Sequence, residues 1–339
     1  MSILYRLLFA KLTLPSPSVF KEKTVLITGA NTGLGREAAR HALALGAGTI
    51  IMGVRTLSKG EEAKADIESS TGCTDRKRVL VWPIDLESFA SVQAFAARTR
   101  KYVVEEGGRL DMAIMNAGLA SGEFALTSDG WERTFQINVL STALLSLQLL
   151  PLLLRTREQN PSTTPHLTIV ASDIYSMVKF RERNNDPLFP TLNNKDSWKK
   201  SQAAGGPVER YALTKLLDFW ITMELARLTP RDEHGHPLVV VNAVAPGFCK
   251  SDLLTREKAP LMLKIVQTLV ARKVEEGSKT LIDGVAHGEE SHGKWLESQI
   301  ITEPGALVTG ADAAVIKEKV WREIIATLKK VDPELRTEF

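Results

Sequence analysis

From about residue 23 onward, short runs of apolar, β-forming residues alternate with helical patterns, and no two of the runs follow one another directly. "KTVLITG", "TIIMGV", "RVLVWPID", "LDMAIMNAG", "HLTIVAS" and "LVVVNAVAPG" read as strands. "LGREAARHALALG", "SKGEEAKADIESS", "SFASVQAFAARTRKYVVEE", "WERTFQINVLSTALLSLQLLPLLLR" and Val208 to Leu228 read as helices between them. Such alternation predicts an α/β fold, a doubly wound parallel sheet with helices on both faces. The strands are nearly continuous Val, Ile and Leu, as a sheet covered on both faces requires.

Two helical stretches, about 137–154 and about 212–228, are apolar nearly all round. A helix without a polar face is buried on every side. The sheet covers only one side, so the other is expected to meet a partner subunit in a homodimer or homotetramer. Asp173 to Gly206, rich in Asn, Lys, Arg, Pro and Gly, breaks the alternation as a long insert after the fifth strand. Connections of that length are usually functional lids or disordered segments.

A net charge of +3 over 339 residues gives no electrostatic reason to expect nucleic acid. Cys73 and Cys249 lack metal-ligand spacing, so neither a metal site nor a disulfide framework is expected, and a reducing compartment is. At the start, "MSILYRLLFAKLTLP" is interrupted by Arg6 and Lys11 and stopped by Pro15. It falls short of the roughly 20 apolar residues of a spanning helix. Two readings stay open for it, an arm packed on the domain and a peripheral amphipathic contact. The chain is expected to be soluble and cytoplasmic, with an arm over 1–20, a single domain over 21–300 and a helical extension over 301–339.

In "LITGANTGLGREAA", Gly29, Gly33 and Gly35 fall in the turn between the first strand and the first helix. Glycines let backbone approach a pyrophosphate, and the helix N-terminus adds free N–H groups and a partial positive charge. The placement predicts a Rossmann-type dinucleotide site. An acid usually follows about 20 residues later to accept from the ribose 2′-OH of NAD. Here the second strand ends Met52-Gly53-Val54-Arg55-Thr56, without one. Arg55 would instead neutralise a 2′-phosphate, which predicts NADP(H). Asp85, ending the third strand, suits either an adenine amino group or the cap of the next helix. Asn116, Ala117 and Gly118 follow the fourth strand at the crevice where such sheets bind ligands.

Two Tyr/Lys pairs stand four residues apart, Tyr175 with Lys179 and Tyr211 with Lys215. Residues at that spacing share a helix face, so an ammonium can sit beside a phenol. The apolar run "LLDFWITMELARL" follows Lys215, whereas "FRERNNDPLFP" after Lys179 offers no apolar face. A catalytic pair needs a rigid scaffold, which selects Tyr211 and Lys215. Ser172, ending a buried strand at the crevice, is likewise preferred over Ser201 in the polar insert.

"TGANTGLG", "NAG" at 116–118, "INV" with Asn138, Ser172, Tyr211-x-x-x-Lys215 and Pro246-Gly247 occur in the order of one family. The chain resembles the short-chain dehydrogenase/reductases over about residues 20–300. Its "GVR" strand end and long Ser-to-Tyr interval are similar to the retinol-dehydrogenase-like branch. Its tail is similar to fungal members that tailor secondary metabolites. The resemblance implies cofactor contacts from Gly29, Asn31, Thr32, Gly33, Leu34, Gly35, Arg55, Asp85, Asn116, Ala117, Gly118, Pro246 and Gly247. It implies that Lys215, beside Tyr211, holds the nicotinamide ribose, and that Ser251 binds the nicotinamide amide. By the same resemblance Asn138 organises a proton-relay water; as a packing residue it would instead satisfy a buried backbone group.

The expected activity is NADP(H)-dependent interconversion of a carbonyl and an alcohol. A free phenol has a pKa near 10; the ammonium of Lys215 and an oxidised nicotinamide are expected to lower that of Tyr211. Tyr211 would then be acid in reduction and base in oxidation, with Ser172 donating to the carbonyl oxygen. The alternatives are a non-catalytic NADP(H) sensor and a relative performing dehydration or epimerisation. Phe180, Phe189, Trp198, Leu253 and Leu254 suit either a small lipophilic substrate or a lid packed on itself.

Overall fold

A computed structural model describes residues 10–206, 208–250 and 271–339. The six apolar runs pair in parallel as β1 (Thr24–Thr28), β2 (Thr49–Val54), β3 (Val79–Pro83), β4 (Met112–Met115), β5 (His166–Val170) and β6 (Val240–Ala245). Two further strands, β7 (Trp295–Glu297) and antiparallel β8 (Ile300–Ile301), extend one edge. They are too short to show an apolar run in the sequence. The order is β3-β2-β1-β4-β5-β6-β7-β8. Val25 of β1 registers with Ile50 on one side and Met112 on the other, so the winding reverses at β1. This topology places ligands beyond the carboxyl ends of β1 and β4.

Helices α1 (Gly33–Ala44) and α2 (Leu57–Thr71) cover one face. Ala38, Ala39, Ala42 and Ile67 pack there on Ile27, Ile50 and Met52. On the other face lie α3 (Phe89–Val104), α4 (Ser141–Gln159), α5 (Lys195–Gly205) within the insert, and α6 (Glu209–Leu228). Their core joins Phe95, Leu144, Leu150, Leu216 and Ile221 to Leu26, Ile51 and Leu167. The chain thus forms one Rossmann-type doubly wound domain.

The expectation that α4 and α6 need a partner subunit loses its ground. The C-terminal helix α7 (Ala313–Val331) of the same chain lays Val320, Ile324 and Leu328 into their cluster. Full burial of side chains of this size contributes about 1.5–3 kcal/mol each. Polar ties fix its position: Lys317 Nζ lies 2.8 Å from Glu224 Oε1 on α6, and Gln148 Nε2 on α4 donates to Asp332 Oδ2 at 2.9 Å. Among the described residues one helix, Arg133–Gln159, is long and apolar enough to cross a membrane. Its apolar window is 83% buried inside the fold, which marks a core helix.

The insert also departs from expectation, because it is packed. Leu188, Phe189 and Leu192 are buried in the main core. Phe189 meets Phe135 edge-on at 4.9 Å between ring centroids, Phe180 lies 6.2 Å from Trp220, and Trp198 stacks edge-on with Phe124 at 6.1 Å. For these three rings packing wins over ligand lining. Leu253 and Leu254 lie outside the described residues. Of the N-terminal arm, Leu12 is buried and Thr13 exchanges two hydrogen bonds with Gln299, so the described part packs on the domain.

Candidate active site

The β1–α1 turn takes its shape from two glycines in the left-handed region, Gly29 at φ +68° and Gly33 at +57°. A Cβ on Gly35 would stand 2.5 Å from both Asn116 Nδ2 and the Gly29 carbonyl oxygen, so only glycine fits there. Among the described residues, a Cβ on Gly33 would meet no heavy atom within 4 Å, so that side of the loop is open to a ligand. Thr32 caps α1 in extended conformation without a side-chain hydrogen bond, and no acid occupies the first helical turn. The first N–H groups of α1 therefore keep their donors and their positive end. These features fit a dinucleotide pyrophosphate. Asn31 and Leu34 share the loop, and Leu34 packs partly buried against the α1 core.

Asn116 buttresses this loop: its Nδ2 donates to the carbonyls of Thr28 at 2.9 Å and Gly29 at 3.4 Å. Thr28 Oγ1 accepts from the N–H groups of Asn116 and Ala117, each at 3.0 Å. Thr28 was invisible as a site residue in the sequence, because only the β1–β4 pairing brings it to 116–117. At the end of β2, Arg55 is exposed and pairs with Glu87 Oε1 at 3.1 Å. Asp85 does not cap the next helix, which Ser88 does. Its Oδ1 accepts instead from the Glu87 N–H at 3.0 Å.

The two Tyr/Lys pairs differ in their surroundings. Tyr175 is buried with its hydroxyl accepting from the Gly305 N–H at 3.0 Å and its ring against Trp295, while Lys179 is exposed. That tyrosine ties the insert to the C-terminal extension. Lys215 is buried on α6, with Nζ donating to the Val170 carbonyl and to Asp218 Oδ2, each at 2.8 Å. Its ammonium lies 5.6 Å from the centroid of the Tyr211 ring. Val170 is two residues before Ser172, so this one bond ties α6 to the end of β5.

Ser172 Oγ donates to Asp173 Oδ1 at 3.2 Å and accepts from the Ile174 N–H at 3.4 Å, starting the 3₁₀ turn Asp173–Met177. Asn138 lies in a π-helical turn, Gln136–Leu140, the kind of helix defect that recurs at functional sites. Its Oδ1 accepts from the Leu119 N–H at 2.8 Å. Its Nδ2 donates to the Leu119 carbonyl at 2.8 Å and to Thr214 Oγ1 at 2.9 Å. Asn138 thus satisfies the partly buried N–H and carbonyl of Leu119 and reaches the neighbour of Lys215. Gly118 belongs to the same group: a Cβ there would sit 3.3 Å from Asn138 Oδ1 and 3.7 Å from Lys215 Nζ. After β6, Gly247 adopts φ +73° and the Pro246 carbonyl accepts from Arg272 Nη1 at 3.3 Å. Ser251 lies outside the described residues. Ser201 is buried on α5, so it has a scaffold after all, but one within the insert.

The lowering expected from Lys215 is present but outweighed, and the Tyr211 phenol is pushed above its ordinary value. Burial does this first, Lys215 pulls the other way, and Asp218, Asp173 and Cys249 add to the rise. Burial lowers Lys215, but the Asp218 carboxylate and Tyr211 outweigh it, so its pKa rises and the ammonium is retained. Asp218 is pushed up to about 6 by burial, against the pull of Lys215. The spacing of Asp218, three residues after Lys215 on one helix, was legible in the sequence but not read there.

The family model for short chain dehydrogenase matches residues 23–160. The chain is 35% identical over 341 residues to the short chain dehydrogenase/reductase dmxR8 of Cryptosporiopsis sp. (strain 8999), covering 100% of both chains. It is 39% identical over 301 residues to the short chain dehydrogenase atnD of Emericella nidulans, covering 86% of this chain and 88% of that one. Among solved structures, a short-chain dehydrogenase from Sphingobium yanoikuyae in complex with NADPH has a similar fold. There the TM-score is 0.56 at 18% identity, covering 93% of this chain and 96% of that one. The match to dmxR8 over the whole of both chains, on a doubly wound parallel sheet, identifies this chain as a member of the short-chain dehydrogenase/reductase family, oxidoreductases that use a nicotinamide cofactor.

Proposed function

We propose that the protein is an NADP(H)-dependent carbonyl reductase or alcohol dehydrogenase acting on a small lipophilic substrate, in a step that tailors a secondary metabolite. Tyr211, Lys215, Ser172 and Asn138 form its catalytic group. The observation that carries this reading is Lys215, buried beside the Tyr211 ring and fixed to the end of β5 through Val170. A lysine held there at the cost of burying its charge serves the phenol next to it.

The turn of Gly29, Asn31, Thr32, Gly33, Leu34 and Gly35 would hold the pyrophosphate of the cofactor, with Asn116, Ala117, Gly118, Pro246, Gly247 and Ser251 along its length. Asp85 would take the adenine. Arg55, exposed at the end of a β2 that carries no acid, supports NADP(H) over NAD(H) through a 2′-phosphate. Bound there, the cofactor supplies or accepts the hydride. Ser172 turns its hydroxyl from Asp173 to the substrate carbonyl oxygen. Tyr211 then donates its phenolic proton to that oxygen in reduction and takes it back in oxidation. Lys215 holds the ribose and balances the phenolate, while Asn138 keeps the Leu119 peptide and Thr214 in place around it.

Tyr211→Phe should abolish turnover across a panel of lipophilic ketones, aldehydes and alcohols followed by NADPH absorbance. Binding of NADPH, read by its fluorescence, should be unchanged. Appreciable residual turnover would remove Tyr211 from the acid role.

A further inference from the structure

The turn Asp173–Met177 follows β5, packs along α6 and is held without help from the Asp173 carboxylate. Ser172 Oγ accepts from the Ile174 N–H at 3.4 Å, and Ser176 Oγ donates to the Asp173 carbonyl at 2.8 Å. The Tyr175 hydroxyl accepts from the Gly305 N–H at 3.0 Å, and its ring lies 5.2 Å from that of Trp295. Asp173 thus stands half-buried on a fixed turn beside Ser172, with its carboxylate free of structural duty. Among the described residues that carboxylate has one hydrogen bond, from Ser172 Oγ to Oδ1 at 3.2 Å, and no donor reaches Oδ2. Its charge is felt at Tyr211 on α6 and at Cys249 and Arg272 beyond β6, so it lies toward the reacting group.

A serine hydroxyl has a single proton to give. Where Ser172 gives it to a substrate carbonyl, the same motion takes it from Asp173. Losing that donor costs free energy, because hydrogen bonds to charged groups are the stronger ones. A substrate restores the donor if it carries one close to its carbonyl. Arg272 already opposes the charge of the carboxylate, so what Asp173 lacks is a neutral donor and not a further cation.

We propose that Asp173 is a specificity-determining residue whose carboxylate accepts a hydrogen bond from a substrate hydroxyl on the carbon next to the reacting carbonyl, which makes the substrate a lipophilic α-hydroxy ketone or the matching vicinal diol. The proposal rests on Ser172 binding the carbonyl. Ser172 Oγ and Asp173 Oδ1 are 3.2 Å apart, a spacing that a vicinal pair of substrate oxygens can face. The substrate hydroxyl is bound and keeps its proton; only the carbonyl is reduced.

Two sets of probes isolate the donor. One is α-hydroxyacetophenone, its methyl ether and acetophenone; the other is benzoin, benzoin methyl ether and deoxybenzoin. The ethers keep the neighbouring oxygen but cannot donate. The kcat/KM of each is followed by NADPH absorbance in wild type and Asp173→Ala. Wild type should prefer each hydroxy ketone to its ether and parent ketone by about tenfold to a hundredfold, the range of a hydrogen bond to a charged group. Asp173→Ala should lower kcat/KM for the hydroxy ketones by a similar factor and raise it for the ethers and parent ketones, since Ser172 no longer leaves a carboxylate. A merely structural role would move all of them together. Equal wild-type efficiencies on hydroxy ketone and ether would overturn the proposal, a reading that stands even where the variant does not fold. So would an Asp173→Ala that keeps the wild-type preference, or a wild type that reduces plain ketones but neither hydroxy ketone. If wild type reduces no carbonyl at all, the reductase reading fails; if it reduces them without preferring the hydroxyl, only the role of Asp173 fails.

Discussion

Asp218 also makes a statement about stability. Its carboxyl is held at about 6 against an ordinary 3.8, so the folded chain binds that proton more tightly than the unfolded one. A group shifted in this direction contributes fully below the unfolded value and loses its contribution as pH rises through the folded value. The stability difference between wild type and Asp218→Asn should therefore shrink in favour of the variant from about pH 4 to above pH 6, measured by urea midpoints. A difference that grows in favour of wild type over that window would mean that Lys215 outweighs burial at this carboxyl. The same residue shows why charge signs read from sequence can mislead. Lys215 alone predicts a lowered phenol at Tyr211, but the contribution of burial depends on how the helix is enclosed.

The insert between β5 and α6 is held by a buried charge cluster as well as by its rings. Glu209 Oε1 accepts from the N–H groups of Lys179 at 2.8 Å and Phe180 at 3.1 Å, joining the insert to the first turn of α6. Arg210, 2% exposed, lies 3.7 Å from Glu132 Oε2 and feels Glu182 and Glu209 as well. Glu132 in turn accepts from the N–H groups of Thr134 and Phe135, where the helix carrying Asn138 begins. The Arg210 guanidinium thus sits among the carboxylates that organise three segments. Arg210→Ala leaves those carboxylates uncompensated and should cost about 3–5 kcal/mol, the range for breaking a buried pair by removing one partner. Denaturant unfolding checks it, and a cost within about 0.5 kcal/mol, as for an ordinary surface site, would contradict the arrangement.

The extension after β8 decides how the molecule is closed. Glu323 on α7 accepts from the N–H groups of Leu188 at 2.7 Å and Phe189 at 2.8 Å, and Lys319 Nζ donates to the carbonyls of Arg183 and Asn185, each at 2.7 Å. The helix therefore clamps the insert while its apolar stripe covers α4 and α6. With those faces filled from within, light scattering at micromolar concentration should give the 37.3 kDa of one chain. Ile324→Asp, which puts a charge at a fully buried position, should release α7 and expose the apolar faces, seen as a lowered midpoint and a rising scattered mass. A stable dimer of the wild type would restore the partner subunit that the two apolar helices suggested.

The order of strands and helices, the glycine turn and the family were all determined by the sequence alone. Each depends on local periodicity, on backbone freedom at Gly29 and Gly33, or on residues one helical turn apart. Tertiary structure decided what covers α4 and α6, that Phe180 and Phe189 belong to the core, that Thr28 braces the segment beside the glycine turn, and that the Tyr211 phenol is raised. Those outcomes join segments far apart in the chain, 188 with 323 or 28 with 116, and they turn on burial, which no local pattern measures.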